Sequence, residues 1–292
     1  MKLVSLTVAR NEDWIVGLSL RVALRWVDHA VVLCHACEDL TRSIVGDIYK
    51  EHPGRVTILD EPERVWMEMP HRQRTLDNGR LLGGTHFAIV DCDEIPTANI
   101  VPRMREWTEK LGPGQLLDLP LIPVWGGLDY YRTDPLGDWK RGWVTTAFRD
   151  IHGATWKPKE DGYQYHNRPP LGTKVDPANR VMPVGKHAEG GIMHLQFAHR
   201  RRLRAKHALY KMDEVIRWPG REPNVLIDQK YSKQLKDDKV VLSPIPMSWW
   251  ESYDRSLINL EGDPWQEKEV KRLWAQYGSA RFKGLDLFGF AP

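Results

Sequence analysis

The sequence predicts an α/β protein, with a mostly parallel central sheet flanked by helices and a loop-rich C-terminal half. Three observations carry that expectation. Up to the turn at Gly112-Pro113-Gly114, short β-branched runs alternate with longer stretches, the pattern of strands covered by helices. The apolar residues of the longer stretches recur at helical spacing. Beyond that turn the alternation fades, and Pro and Gly cluster at Pro120, Pro123, Gly126-Gly127, Pro169-Pro170 and Pro183. With 292 residues, 41% hydrophobic and 28% charged, the chain has a globular composition. A single domain, 1–292, is expected, with an N-terminal half at 1–118 and a C-terminal half at 119–292.

The elements follow in order. Strands are predicted over 2–9, 29–34, 55–59 and 86–90. Between the first two, Trp14, Ile15, Leu18, Val22 and Trp26 share one helical face while Arg21 and Arg25 lie on another. Asp39 or Thr41 is placed to cap a second helix reaching about His52, and 71–82 forms a third. The C-terminal half carries a strand group at 115–124, extended segments at 143–148 and 191–195, and a helix over 200–218. A last helix over 264–277 turns Val270, Leu273 and Trp274 inward.

Charge and composition exclude several classes. The formal net charge is +3, from 42 Lys and Arg against 39 Asp and Glu, whereas a whole-surface nucleic-acid binder is expected to be more basic. One run is locally basic, from His199 through Arg200, Arg201, Arg202, Arg204 and Lys206 to His207. It reads either as a solvated helix face or as a patch for an anionic partner. No apolar run approaches the roughly 18 residues of a membrane span. The apolar N-terminus stops at Arg10-Asn11-Glu12-Asp13 without a cleavage-like segment. Three cysteines are too few for a disulfide scaffold, so a cytoplasmic location is expected.

The most informative segment is the end of the fourth strand, Asp91-Cys92-Asp93-Glu94, with three carboxylates in four residues. Burying such a cluster without a counter-charge is costly. At the carboxyl end of a parallel strand, where open α/β sheets bind ligands, a hard divalent cation is the natural counter-charge; a solvated turn is the alternative. The first strand ends in Arg10-Asn11-Glu12, the second near Glu38-Asp39-Leu40-Thr41 and the third in Asp60-Glu61. Polar groups at successive strand ends would converge on one rim.

In the order and spacing of these elements, with Arg72 and Arg74 on the third helix, residues 2–118 resemble the GT-A glycosyltransferases of the family-2-like group. The resemblance implies a GT-A-like, Rossmann-like fold and transfer of a sugar from a nucleotide-sugar, a UDP-sugar being favoured, to an acceptor hydroxyl with inversion. By position it implies that Arg10, Glu12 and Asp39 contact the nucleoside, joined by Asp60 and Arg74 around the donor. It further implies Asp91 at the ribose and Asp93 on a Mn²⁺ or Mg²⁺ ion that holds the diphosphate. One loop departs from the family pattern: Cys34-His35-Ala36-Cys37-Glu38-Asp39 stands where an Asp and a Ser usually precede Asp-Gly-Thr. A late histidine often completes such a metal site, and His194 is the candidate here. Arg204, on the basic helix, would offset charge on the departing diphosphate. Glu189 is the candidate general base, with Asp129, Asp150 and Asp161 as competitors. Trp125, Tyr130, Tyr131, Trp139, Trp143 and Trp156 offer stacking faces or core.

Other readings remain open. Cys34 and Cys37 form a C-x-x-C that fits a zinc site with Cys92 or a histidine, a redox pair, or inert packing. A deaminase would need H-x-E before P-C-x-x-C, whereas His187-Ala188-Glu189 follows the cysteines and Leu33 replaces the proline. No Walker, G-x-G-x-x-G, H-E-x-x-H or G-x-S-x-G motif is present. The alternatives to sugar transfer are two-metal nucleotidyl or phosphoryl transfer by the acidic cluster and nucleic-acid binding by the 199–207 run. An enzyme that glycosylates a modified DNA base would combine a donor pocket with that basic run.

Overall fold

The computed structural model describes residues 1–134, 142–156, 168–232, 235 and 240–291. In chain order the strands are β1 (Leu3–Ala9), β2 (His29–His35), β3 (Val56–Glu61), β4 (His86–Ile89), β5 (Glu94–Pro96), β6 (Leu116–Pro123), β7 (Tyr130–Arg132), β8 (Trp143–Arg149), β9 (Arg180–Val181), β10 (Ile192–His194) and β11 (Leu242–Pro244). The helices are α1 (Val16–Ala23), α2 (Thr41–Glu51), α3 (Glu68–Leu81), α4 (Val101–Glu109), α5 (Arg200–Arg217), α6 (Asn224–Ser232) and α7 (Trp265–Tyr277).

Two compact units form. One joins Met1–Ile122, Gly142–His194 and Pro246–Asn259; the other joins Pro123–Arg141, Leu195–Ile245 and Leu260–Pro292. The segments 142–194 and 246–259 thus return, late in the chain, to the unit that begins it.

In the first unit the strands run β3-β2-β1-β4-β8-β6-β10-β5, with β9 beside β6. β3, β2, β1 and β4 are mutually parallel, while β8 runs antiparallel to both β4 and β6. This is the predicted α/β class. β1, β2 and β4 are buried almost throughout, as expected for parallel strands covered on both faces. Because β1 lies between β2 and β4, the winding reverses there and opens a crevice beyond the carboxyl ends of β1 and β4.

The helices hold that edge in place. The chain leaves β1 through Asn11, whose φ of 54° turns it sharply, and the Glu12 carbonyl accepts the amides of Ile15 and Val16 to start α1. Met69 and Leu76 of α3 pack on Leu6, Phe87 and Ile89. Trp156 joins the same core at 1% exposure, so it offers no stacking face. α4 was not expected from sequence, although Val101, Met104, Trp107 and Thr108 are buried at helical spacing behind Pro102 in the first turn. The segment 246–259 clamps the unit from far along the chain. The Trp249 carbonyl accepts the Ala98 amide (2.9 Å), the Asn259 amide donates to the Trp14 carbonyl (2.8 Å), and the Tyr253 hydroxyl donates to the Pro96 carbonyl (2.7 Å).

In the second unit β7 and β11 pair antiparallel, and α5 and α7 share a core of Ala208, Met212, Val270, Leu273 and Phe282. Trp274 packs at its margin. Arg200 and Arg204 are exposed, yet Lys211, on nearly the same helical stripe, is fully buried. The reason is local. Asp228 of α6 (2.7 Å), Ser232 (3.1 Å) and the Asp286 carbonyl (2.8 Å) accept from the Lys211 ammonium. Among the described residues no helix is long and apolar enough to cross a membrane.

Candidate functional site

The carboxyl ends of β1 and β2 are stitched together by their own polar side chains. Asn11 Oδ1 accepts the Glu38 amide (2.7 Å) and Thr41 Oγ1 accepts the Glu12 amide (2.7 Å). Asp39 accepts the Asp13 amide (3.1 Å) and the Thr41 amide (2.9 Å), the second of these at the start of α2. Glu12 Oε2 accepts from Trp14 Nε1 (2.6 Å), and Arg10 donates to the Arg64 carbonyl (3.0 Å). Three of the expected donor-binding residues, Arg10, Glu12 and Asp39, therefore share one loop pair. Asp60 and Arg74 meet further along the same edge, where Arg74 donates to the Asp60 carbonyl (3.1 Å) and to Glu61 (3.0 Å). The Asp60 carboxylate is exposed and binds Arg42 (2.7 Å).

At the end of β4 the carboxylates are not left for a cation to neutralise. Arg72 of α3 donates to both Asp91 oxygens (3.0 and 3.2 Å) and to Glu68 (3.0 Å). Arg168 donates to Asp91 (2.9 Å), to both oxygens of Glu94, and to the carbonyls of Thr145 (2.7 Å) and Ile89 (3.3 Å). Burial pushes the Asp91 carboxyl up, but Arg72 and Arg168 outweigh it and hold the group below the usual carboxylate range. At Glu94 burial wins despite Arg168, and its carboxyl is raised. The expected counter-charge at this strand end is thus a pair of arginines for Asp91 and Glu94.

Asp93 is different. β5 pairs antiparallel with β10, setting His194 opposite Glu94 and His194 Nε2 3.5 Å from Asp93 Oδ2. The two residues singled out as metal ligands stand together although about a hundred residues separate them in sequence. Among the described residues no group of three or more His, Cys, Asp or Glu side chains is arranged to hold a metal ion. That leaves the zinc reading of Cys34 and Cys37 without further ligands among those residues.

The remaining candidates lie elsewhere. Glu189 is exposed at the opposite end of β10 from His194; its carboxylate accepts the Gly185 amide (3.3 Å) and its carbonyl accepts from Asn99 (2.9 Å). Arg204 is exposed on α5 of the second unit. Asp150 is held by Arg80 (2.8 Å) and Asp129 is exposed. Asp161 and Trp139 fall outside the described residues. Trp125 stacks on Phe197 (5.7 Å between centroids) under Arg132. Tyr131 is buried, Tyr130 is half exposed, and Trp143 meets His187 edge-on at 5.1 Å.

Two features escaped the sequence reading. Arg168 has no pattern around it that could mark it; only the fold brings it to β4. A ring cluster of His35, Trp66 and His71, with centroids 4.6 to 5.5 Å apart, stands at the carboxyl end of β2. Burial, with the charges of His71 and Arg10, lowers His35 to about 4.

No protein-family model matches this chain, and no curated protein matches it in sequence. Among solved structures it is similar to TarS 1-349 of S. aureus in complex with UDP, at 12% identity over 98% of this chain and 83% of that one, TM-score 0.40. It is also similar to TarS 1-349 with UDP-GlcNAc, at 11% identity over 98% and 84%, TM-score 0.36. A third is the mannosyltransferase PcManGT from Pyrobaculum calidifontis with GDP-Man and Mn²⁺, at 14% identity over 95% and 76%, TM-score 0.38. These superpositions are loose, and no residue correspondence follows from them.

Proposed function

We propose that this chain is a metal-dependent glycosyltransferase that takes a sugar from a nucleotide-sugar, with its donor site at the carboxyl edge of β1, β2 and β4. The observation that carries the reading is the meeting of Asp93 with His194 at the switch point of a parallel sheet, beside loops that present Arg10, Glu12 and Asp39. A carboxylate oxygen and an imidazole nitrogen 3.5 Å apart can act as neighbouring ligands of one divalent ion, with diphosphate oxygens and water in the remaining positions. Such an ion would bind the diphosphate and offset its charge as the sugar leaves. Arg72 and Arg168 keep Asp91 ionised and fixed, so that it can accept a hydrogen bond from a ribose hydroxyl.

The same geometry weighs against two-metal phosphoryl transfer, which needs several carboxylates free to bridge the ions; Asp91 and Glu94 are taken by arginines. It also weakens the nucleic-acid reading. Arg202 and His207 are buried and Arg201 is held by Asp263 and Glu267, so the 199–207 run is not a continuous basic surface. A saccharide, lipid, protein or DNA base all remain acceptors to test. Transfer is taken to proceed with inversion, Glu189 serving as the acceptor's base. Replacing Glu189 by Gln is then expected to lower turnover about a hundredfold while leaving donor affinity unchanged.

The test is a thermal-shift panel of UDP, GDP, CDP and their sugar conjugates with Mn²⁺, Mg²⁺ or EDTA. A ligand at 100 times its Kd stabilises by about 2.7 kcal/mol. A shift with one diphosphate that vanishes in EDTA and in Asp93→Ala supports the reading and names the base. Absence of any shift under all metal conditions overturns it.

A further inference from the structure

The C-x-x-C motif plays no part in the donor chemistry above, yet its two thiols are not equivalent packing. Cys34 lies in β2, paired with Ala9 of β1 and Asp60 of β3, and is 3% exposed. Ala36 adopts a φ of 41°, bending the chain so that Cys37, three residues on, comes back to the end of the same strand. The Cys37 thiol turns back onto the carbonyl of Ala9, the residue paired with Cys34 in the neighbouring strand. Cys37 is only half-buried, and its sulfur lies 3.5 Å from the Ala9 carbonyl and 3.7 Å from that of His35.

We propose that Cys34 and Cys37 form a redox-active dithiol that closes to an intramolecular disulfide by exchange with a small disulfide of the glutathione type, Cys37 attacking and Cys34 resolving. Accessibility sets the order, since only Cys37 can meet an incoming disulfide. Electrostatics agree. The neighbouring Cys34 lowers the Cys37 thiol first of all; burial opposes it, the Asn11 amide and the charge of Arg10 reinforce it, and Asp39 opposes it. The thiolate is the nucleophile in such exchange. Cys34 is raised, chiefly by its Cys37 neighbour and then by burial. The third thiol, Cys92, is 3% exposed and stays out of the exchange.

The chemistry balances. The Cys37 thiolate forms an S–S bond to one glutathione sulfur and breaks the glutathione disulfide, releasing the first glutathione thiol. The Cys34 thiolate then attacks the Cys37 sulfur and releases the second. Two protein thiols are oxidised to one disulfide, and one glutathione disulfide is reduced to two thiols.

The experiment equilibrates the reduced full-length chain with mixtures of reduced and oxidised glutathione, quenches with acid, alkylates, and maps peptides by mass. The wild type is expected to give a Cys34–Cys37 disulfide, Cys34→Ser a glutathione adduct held on Cys37, and Cys37→Ser neither. Native-state alkylation by iodoacetamide is expected to be at least about tenfold faster at Cys37 than at Cys34 or Cys92. This wild-type measurement carries the test if a serine variant does not fold. No Cys34–Cys37 disulfide in fully oxidised glutathione while the circular dichroism stays native, or first reaction at Cys34 or Cys92, overturns the proposal. Neither readout depends on the donor reading.

Discussion

Asp91 and Asp93 sit two residues apart and answer to different physics. Asp91 shares two arginines with Glu68 and Glu94, whereas Asp93 meets an imidazole. Asp93→Ala relieves an acidic cluster of one like charge, so it is expected to lose metal-dependent diphosphate stabilisation while the melting temperature without ligand moves by only a degree or two. Glu94→Gln leaves Arg168 short of a charged partner in a site where Glu94 is 7% exposed. It is expected to cost about 3 kcal/mol in denaturant unfolding. Equal stability losses for the two variants would mean that Asp93 is as structural as its neighbour. The acidic strand end and its neighbouring loops were legible because three carboxylates after a buried strand demand compensation. The compensation itself was not legible, because Arg168 is a loop residue whose partners are all remote in sequence.

At the scale of elements, the parallel strands and their helices were readable wherever burial imposes a simple period, as in β1, β2, β4 and α1. α4 carried the same signal at Val101, Met104 and Trp107 and was missed. β5 is too short to have a period at all. Its pairing with β10 depends on Gly191, where an added Cβ would stand 2.2 Å from the Pro120 carbonyl oxygen. Backbone cannot yield as a flexible side chain can. Gly191→Ala is therefore expected to displace β10 and weaken Mn²⁺-dependent UDP or GDP binding at least about tenfold, measured by calorimetry, with β1–β4 amide protection retained. α5 shows how a stripe read from sequence can change character along its length. Its first turns expose Arg200 and Arg204, and further on Lys211 is covered by α6 and the chain near Asp286. Lys211→Met is expected to speed hydrogen exchange in α6 and around 286–288, since Asp228 and the Asp286 carbonyl lose their buried cation.

For the molecule as a whole, titration adds across its parts. Burial lowers His35 to about 4, with His71 and Arg10 contributing, and lowers His207 to about 4 against its hydrogen bond to Tyr231, from a free value of 6.5. The native rings stay neutral while the unfolded chain takes up protons as pH falls through 6.5. Stability is therefore full above about pH 6.5 and declines toward pH 4, by up to roughly 3 kcal/mol for each ring. Urea unfolding at pH 7 and pH 4.5 measures this, and His207→Asn is expected to flatten the dependence. How the chain is divided was hidden from the sequence, because composition does not reveal that 142–194 and 246–259 return to the first unit.

That return decides when the site can exist. β1 to β4 are complete once residue 89 has been made, but β5 waits for β10, and the Ala98 and Pro96 backbone waits for Trp249 and Tyr253. Closing loops of such length is slow compared with forming local contacts. A chain emerging from the ribosome thus folds the loops after β1 and β2 well before Asp93 meets His194. In refolding, amide protection in β1 and β2 is expected to recover ahead of metal-dependent nucleotide affinity.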